Sequence, residues 1–162
     1  MDRINVGIIG CGRIADLHAL GYENNAEARI YAVCDTDPSS ARRRKGQWRA
    51  DRAYTNHLDL LEDPEVDAVE ILVPHAVHES VMVDAAKAGK HVALQKPMTN
   101  DLASADRILA AAEEAGIVFI GPPSNVLEAM GDKTAARRNA ESLGIPIVPG
   151  TEAPVPDADA AA

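Results

Sequence analysis

The chain has 162 residues, 46% of them hydrophobic and 25% charged, and a formal net charge of −9. That is enough for one soluble globular domain with a sizeable core, or one domain plus a short appendage. The acidity argues against nucleic acid or an anionic membrane as partner, and no apolar run reaches the roughly 18 residues of a membrane span. Aromatic residues make up only 3%, so Val, Ile, Leu and Ala must do the packing. Met1 to Asn5 lead straight into a strand-like segment and do not read as a signal peptide. Two cysteines, Cys11 and Cys34, are too few for a metal cluster, and the expectation is a cytoplasmic protein with free thiols.

In chain order, Val6 to Ile9 reads as a buried strand, apolar on both faces as a parallel sheet requires. A helix is expected over Ile14 to Asn24, a strand over Ala28 to Val33, and a helix from Asp37-Pro38 that carries Arg42 to Lys45 as a solvated basic face. A short extended piece near Ala53 to Thr55 and a small helix over Leu58 to Glu62 follow. Val66 to Val73 is the next strand, His78 to Ala88 the next helix, and His91 to Leu94 a further strand. A helix capped by Asn100 or Asp101 runs to Ala115, and Ile117 to Ile120 reads as the sixth strand. Strict alternation with short connections predicts an α/β fold: a Rossmann-type, doubly wound sheet of about six parallel strands, three-layer α/β/α. After Pro122-Pro123-Ser124 the texture changes to two helical stretches, Asn125 to Met130 and Asp132 to Leu143, with one more candidate strand at Ile145 to Val148. The expected organisation is therefore a dinucleotide-binding domain at 1–121, a short helical appendage at 122–150, and a disordered tail at 151–162.

Gly10-Cys11-Gly12-Arg13-Ile14-Ala15 fits the pattern G-x-G-x-x-G/A. The small residues serve different ends. Gly10 allows the tight turn out of the strand, Gly12 lets a pyrophosphate approach the main chain, and Ala15 lets the helix pack closely on the sheet. The helix start directs free N–H groups at the phosphates. Asp35 lies 20 residues beyond Ala15, at the end of the second strand. A carboxylate there accepts hydrogen bonds from the adenine-ribose hydroxyls of NAD and repels the extra phosphate of NADP, so NAD is favoured over NADP. A solvated loop aspartate beside an ordinary tight turn is the alternative.

Gln95-Lys96-Pro97 follows a buried strand, at the sheet end that faces the crevice of such folds. A lysine there can orient a substrate hydroxyl or help move its proton. His75 and His78 follow the preceding strand near the same edge, whereas His18, His57 and His91 read as structural.

Four stretches together resemble the Gfo/Idh/MocA oxidoreductases. They are Val6 to Ala15 with His18 after it, Ala32-Val33-Cys34-Asp35, Val69 to His78, and Gly89 to Pro97. The last is similar to that family's Glu-Lys-Pro signature, with Gln95 in place of the glutamate. The resemblance covers residues 1 to about 119. It implies a nicotinamide cofactor and hydride transfer to or from a sugar, cyclitol or similar polyol. It also implies cofactor contacts from Gly10, Gly12, Arg13, Ile14 and Asp35, beside which Ala15 and Pro74 are further cofactor-site candidates, and places Lys96 and His78 nearest the nicotinamide and substrate as catalytic candidates.

Gly116 to Pro122, Met130 to Lys133 and Gly144 to Thr151 are similar instead to biotin carboxylase and pyruvate carboxylase, where the lysine matching Lys133 contacts ATP phosphates. The expectation is a chimera joined between Ala111 and Phe119, without room for the family's substrate domain. It would bind NAD with little or no turnover, with a homodimer as a possible assembly. A recombined Rossmann scaffold without ligand and an ATP-binding fragment are the alternatives.

Overall fold

The computed structural model of the protein describes residues 3–121, 126 and 131–148. Five strands form: β1 (Ile4–Ile9), β2 (Ala28–Cys34), β3 (Arg52–Tyr54), β4 (Ala68–Ile71) and β5 (His91–Leu94). All pair in parallel in one sheet of order β3-β2-β1-β4-β5. Five helices lie within this part of the chain: α1 (Arg13–Ala19), α2 (Pro38–Trp48), α3 (His57–Leu61), α4 (His78–Lys87) and α5 (Leu102–Glu114). A sixth, α6 (Lys133–Ser142), follows later.

The apolar residues of β1 alternate between two cores, which is why the sheet needs helices on both faces. Ile8 packs with Cys11, Ala15, Ala19, Ile30, Val33 and Leu72, under α1 and α2. Ile9 packs with Leu60, Val69, Ile71, Val81, Ala85 and Ile108, under α3, α4 and α5. Burial of one such aliphatic side chain stabilises the fold by about 1.5–3 kcal/mol.

Local chemistry sets the helix starts. Asp37 caps α2 by accepting from the Ser39 and Ser40 amides at 3.0 and 3.1 Å, with Pro38 in the first turn. Asp101 caps α5 by accepting from the Ser104 amide at 2.8 Å. The basic run of α2 differs from the expectation of a solvated face. Arg42, Arg43 and Lys45 are exposed, but Arg44 is buried. Its guanidinium forks onto both carboxylate oxygens of Asp16, donates to Gln47 Oε1 at 2.7 Å and to the Cys11 carbonyl at 3.4 Å, and lies over Trp48. Arg44 thus fastens α2 to α1 and to the glycine turn.

The expected sixth strand does not form. Ile117 closes α5, its amide donating to the Ala112 carbonyl at 2.8 Å. Residues 118–120 then run unpaired, with Val118 82% and Ile120 95% exposed. An apolar run has the same periodicity whether or not a neighbouring strand accepts it. Ile145 to Val148 is likewise not a strand. Apart from Val126, the helix expected at Asn125 to Met130 lies outside the described residues, as does the tail from Thr151. Internal contacts divide the chain into Met1–Phe119 and Ile120–Ala162, and α6, with Asp132 accepting from the Ala135 amide at 2.7 Å, belongs to the second unit. Among the described residues no helix is long and apolar enough to cross a membrane.

Candidate dinucleotide site

Register places the site. Ile9 lies opposite Cys34 on one side and Ile71 on the other, and Ile71 lies opposite Leu94. The carboxyl ends of β1, β2, β4 and β5 are therefore level, and the residues that follow them share one edge. Chain order reverses beside β1, between β2 and β4, and crevices at such points take ligands in open α/β sheets.

The turn after β1 is shaped by two glycines with different duties. Gly10 has φ +100, donates its amide to the Cys34 carbonyl at 2.8 Å, and packs against the exit of β4. A Cβ there would stand 2.7 Å from the Leu72 carbonyl oxygen, so no other residue fits. At Gly12 the reverse holds: a Cβ would meet no atom within 4 Å. Gly12 is the N-cap of α1 and no side chain caps the helix there. The space over Gly12 and the first-turn amides is thus left to solvent or a ligand. Arg13 and Ile14 are exposed in that first turn, while Ala15 is fully buried against the sheet, where a larger side chain would lift the helix.

Asp35 leans over the same turn. Its Oδ2 accepts from the Cys11 amide at 2.8 Å and its Oδ1 from the Asp37 amide at 2.9 Å. Each carboxylate oxygen has a further acceptor position, and the residue is half-exposed. Beneath it, burial and the Asp35 charge push the Cys11 thiol up to about 12. Burial, with Cys11 and Asp35 nearby, does the same to Cys34. Both thiols are free and buried.

Across the edge, Pro74 is exposed after β4 and its carbonyl accepts from the Val77 amide at 3.0 Å, closing a short turn. His75 is exposed in that turn. His78 is fully buried, with Nδ1 3.0 Å from the Met98 carbonyl and Nε2 2.9 Å from the Val73 carbonyl. It joins the loops after β4 and β5 and presents no ring nitrogen to the crevice. Lys96 is exposed, and among the described residues its Nζ has no hydrogen-bond or ion-pair partner. His18 and Gln95 sit together: Gln95 Nε2 is 2.9 Å from His18 Nε2, and His18 Nδ1 is 2.5 Å from Glu70 Oε1. The Tyr22 hydroxyl donates to Glu70 Oε2 at 3.1 Å. Burial, and then the Glu70 charge, hold the Tyr22 phenol far above its ordinary range.

The fold thus brings Gly10, Gly12, Arg13, Ile14, Ala15 and Asp35 to one turn, with Pro74 and Lys96 at the ends of neighbouring strands and His78 in the core. Sequence reasoning takes His18 as structural and passes over Glu70. One signal points to the acid: a glutamate between Val69 and Ile71, in a strand otherwise apolar, is buried and requires partners. Among the described residues no group of His, Cys, Asp and Glu is placed to hold a metal ion.

Comparison with known proteins agrees with this geometry. Residues 4–121 match the Gfo/Idh/MocA model, described as an oxidoreductase family with an NAD-binding Rossmann fold. Myo-inositol 2-dehydrogenase of Thermotoga maritima is 33% identical over 116 residues, 72% of this chain and 35% of that protein. A crystal structure of a 3-ketoreductase from Actinomadura kijaniata in complex with NADP and TDP-benzene is 28% identical, with a TM-score of 0.69 over 88% of this chain and 42% of that one. The WlbA dehydrogenase from Bordetella pertussis, in complex with NADH and UDP-GlcNAcA, is 26% identical, with a TM-score of 0.71 over 88% of this chain and 44% of that one. The chain spans about a third of the length of the curated relatives it matches. The family match runs to Gly121, past the expected joint, and these comparisons lend no support to the expected carboxylase likeness or to a chimera. By its fold, its glycine turn and its relatives, the chain belongs to the Gfo/Idh/MocA oxidoreductase family with an NAD-binding Rossmann fold.

Proposed function

We propose that residues 3–119 bind NAD as the cofactor half of an oxidoreductase acting on a sugar, cyclitol or similar polyol. The observation that carries the reading is the pair of glycines. Gly10 is filled by the protein's own main chain, and Gly12 is bare above uncapped amides. Such a cradle suits a pyrophosphate, which needs close approach and N–H donors. Asp35 supplies the second element, since its remaining acceptor positions suit two ribose hydroxyls. Arg13 and Ile14 flank the diphosphate, and Pro74 borders the nicotinamide end.

NAD is preferred to NADP on electrostatic grounds. Asp35 and Asp37 lie together at the β2 exit, where a 2′-phosphate would stand. Arg42 and Arg43 are exposed on α2 and form the competing attraction. Similar structures hold NADP in one case and NADH in another, so the preference for NAD rests on these local charges alone.

When bound, the nicotinamide accepts or returns the hydride. The chain's own contribution is at Lys96, whose exposed Nζ orients the reacting hydroxyl and takes or returns its proton. His78, with both ring nitrogens on main-chain carbonyls, positions the loops that carry Pro74 and Lys96. For this span by itself we propose binding with little turnover. The carboxylase likeness adds no activity, and the Lys133 side chain on which an ATP contact would depend lies outside the described residues.

The test is thermal unfolding with NADH, NADPH and ATP in parallel. A ligand that binds only the native state raises Tm, and at equal concentration the tighter ligand raises it further. NADH is expected to give the largest shift, NADPH a smaller one and ATP none. No shift with either dinucleotide would overturn the reading.

A further inference from the structure

Four side chains and one amide at the β5 exit form a single hydrogen-bonded chain whose direction is determined. Gln95 Oε1 accepts from the Lys96 amide at 2.7 Å, which fixes the side-chain amide in one orientation. The atom 2.9 Å from His18 Nε2 is therefore Gln95 Nε2, which can only donate. His18 Nε2 accepts, so the ring proton is on Nδ1, which donates to Glu70 Oε1. Tyr22 donates to the other Glu70 oxygen. Every step runs from donor to acceptor, and among the described residues no buried side-chain polar atom lacks a partner.

The arrangement is not explained by packing. Glu70 is 9% exposed between Val69 and Ile71, where an aliphatic residue would bury apolar surface without a desolvation cost. What the chain of bonds achieves is connection: it joins α1, the helix opened by Gly12, to the main chain of Lys96, across β4.

We propose that Gln95 is a positioning residue with two functions. Its carbonyl holds the Lys96 main chain, and its NH₂ holds His18 as the Nδ1–H tautomer, so that the phosphate-binding helix and the substrate lysine are placed as one unit. The consequence for substrate rests on the function proposed above, but the bonding pattern does not. A glutamate at position 95 could still accept from the Lys96 amide but offers His18 no proton. With Glu70 on Nδ1 and a carboxylate on Nε2, the ring then carries both protons. Glutamine or glutamate at this one position thus sets the protonation of the ring on the cofactor helix, the added carboxylate being balanced by the second ring proton.

The experiment is nitrogen-15 NMR of the His18 ring and the Lys96 amide in the whole chain, as the parent, as Gln95→Glu and as Gln95→Leu. Near neutral pH the parent ring should show a protonated Nδ1 and a bare Nε2, and Gln95→Glu should show both nitrogens protonated. Gln95→Leu should lower hydrogen-exchange protection of the Lys96 amide by about tenfold, the loss of one hydrogen bond. A parent ring protonated at Nε2, or an unchanged ring in Gln95→Glu, overturns the proposal. Should Gln95→Leu fail to fold, the other two spectra decide. NADH added to the parent tests the function separately: an Nδ1–H ring in a protein that ignores NADH would leave the bonding standing and remove the site.

Discussion

At the β1–β2 end of the crevice the site is built from main chain; at the β4–β5 end it is built from side chains. The first depends on φ at Gly10, bare space at Gly12 and one carboxylate on the Cys11 amide. The second depends on Lys96, whose surroundings are set by Gln95, His18, Glu70 and Tyr22 from three separate segments. Binding a dinucleotide requires amides and room, which a short contiguous stretch provides. Placing a lysine for the proposed role requires a scaffold of side chains, which only tertiary structure can assemble.

The contrast is sharpest between the two glycines. Gly10→Ala forces a Cβ to 2.7 Å from a carbonyl oxygen at positive φ, and should cost roughly 3 kcal/mol or more of stability. Gly12→Ala, in open space at φ −74, should leave Tm within about 2 °C of the parent yet weaken NADH at least about tenfold. Denaturant melts and calorimetric titration of both variants check this. Similar stability losses in the two would erase the distinction between a glycine kept for the fold and one kept for the ligand.

At the other end, Glu70→Ala leaves His18 Nδ1 and the Tyr22 hydroxyl without an acceptor. The expected cost is about 2–3 kcal/mol, measured by urea unfolding. A loss below about 0.5 kcal/mol would mean that the network holds nothing together.

The difference between the ends also explains what can be read in advance. The parallel sheet, the order of elements through β5 and the glycine turn follow from local patterns: apolar runs, caps such as Asp37 and Asp101, and G-x-G-x-x-A. The network escapes such reading because its members are far apart, with Gln95 and His18 separated by 77 positions. Neither residue type announces a partner at that distance. His78 shows the reverse error of inference. Its place near the edge suggests chemistry, and only the fold reveals that two carbonyls occupy its ring. Ile117 to Ile120 looks like a strand because apolar content cannot report whether a neighbour's edge is taken up. Arg44 looks solvated because a run of four basic residues hides which one faces inward.

Smaller effects extend the comparison to pH. Burial raises both thiols of the glycine-turn end from 9.0 to about 12 in the folded chain. Their contribution to stability is intact below pH 9 and is lost as pH rises from 9 towards 12. Ellman's reagent at pH 8 should therefore react with Cys11 and Cys34 only after unfolding, and Cys11→Ala with Cys34→Ala should flatten the alkaline fall in Tm. Fast labelling of the native protein would contradict this. Between α4 and α5, Arg107 grips the Glu79 carboxylate at 2.5 and 2.8 Å and lowers it from 4.5 to about 2. That contribution is present above pH 4.5 and disappears as pH falls towards 2. The pair is open to solvent, so Glu79→Gln should lower Tm at pH 7 by about 2 °C at most and converge with the parent in acid.

The most direct measurement is calorimetric titration of NADH into the parent and into Asp35→Ala, with melting curves to confirm that both are folded. If the carboxylate over the glycine turn holds the adenine ribose, the variant should bind at least about tenfold more weakly and lose most of its preference over NADPH. Equal NADH affinity in two folded proteins would contradict the account.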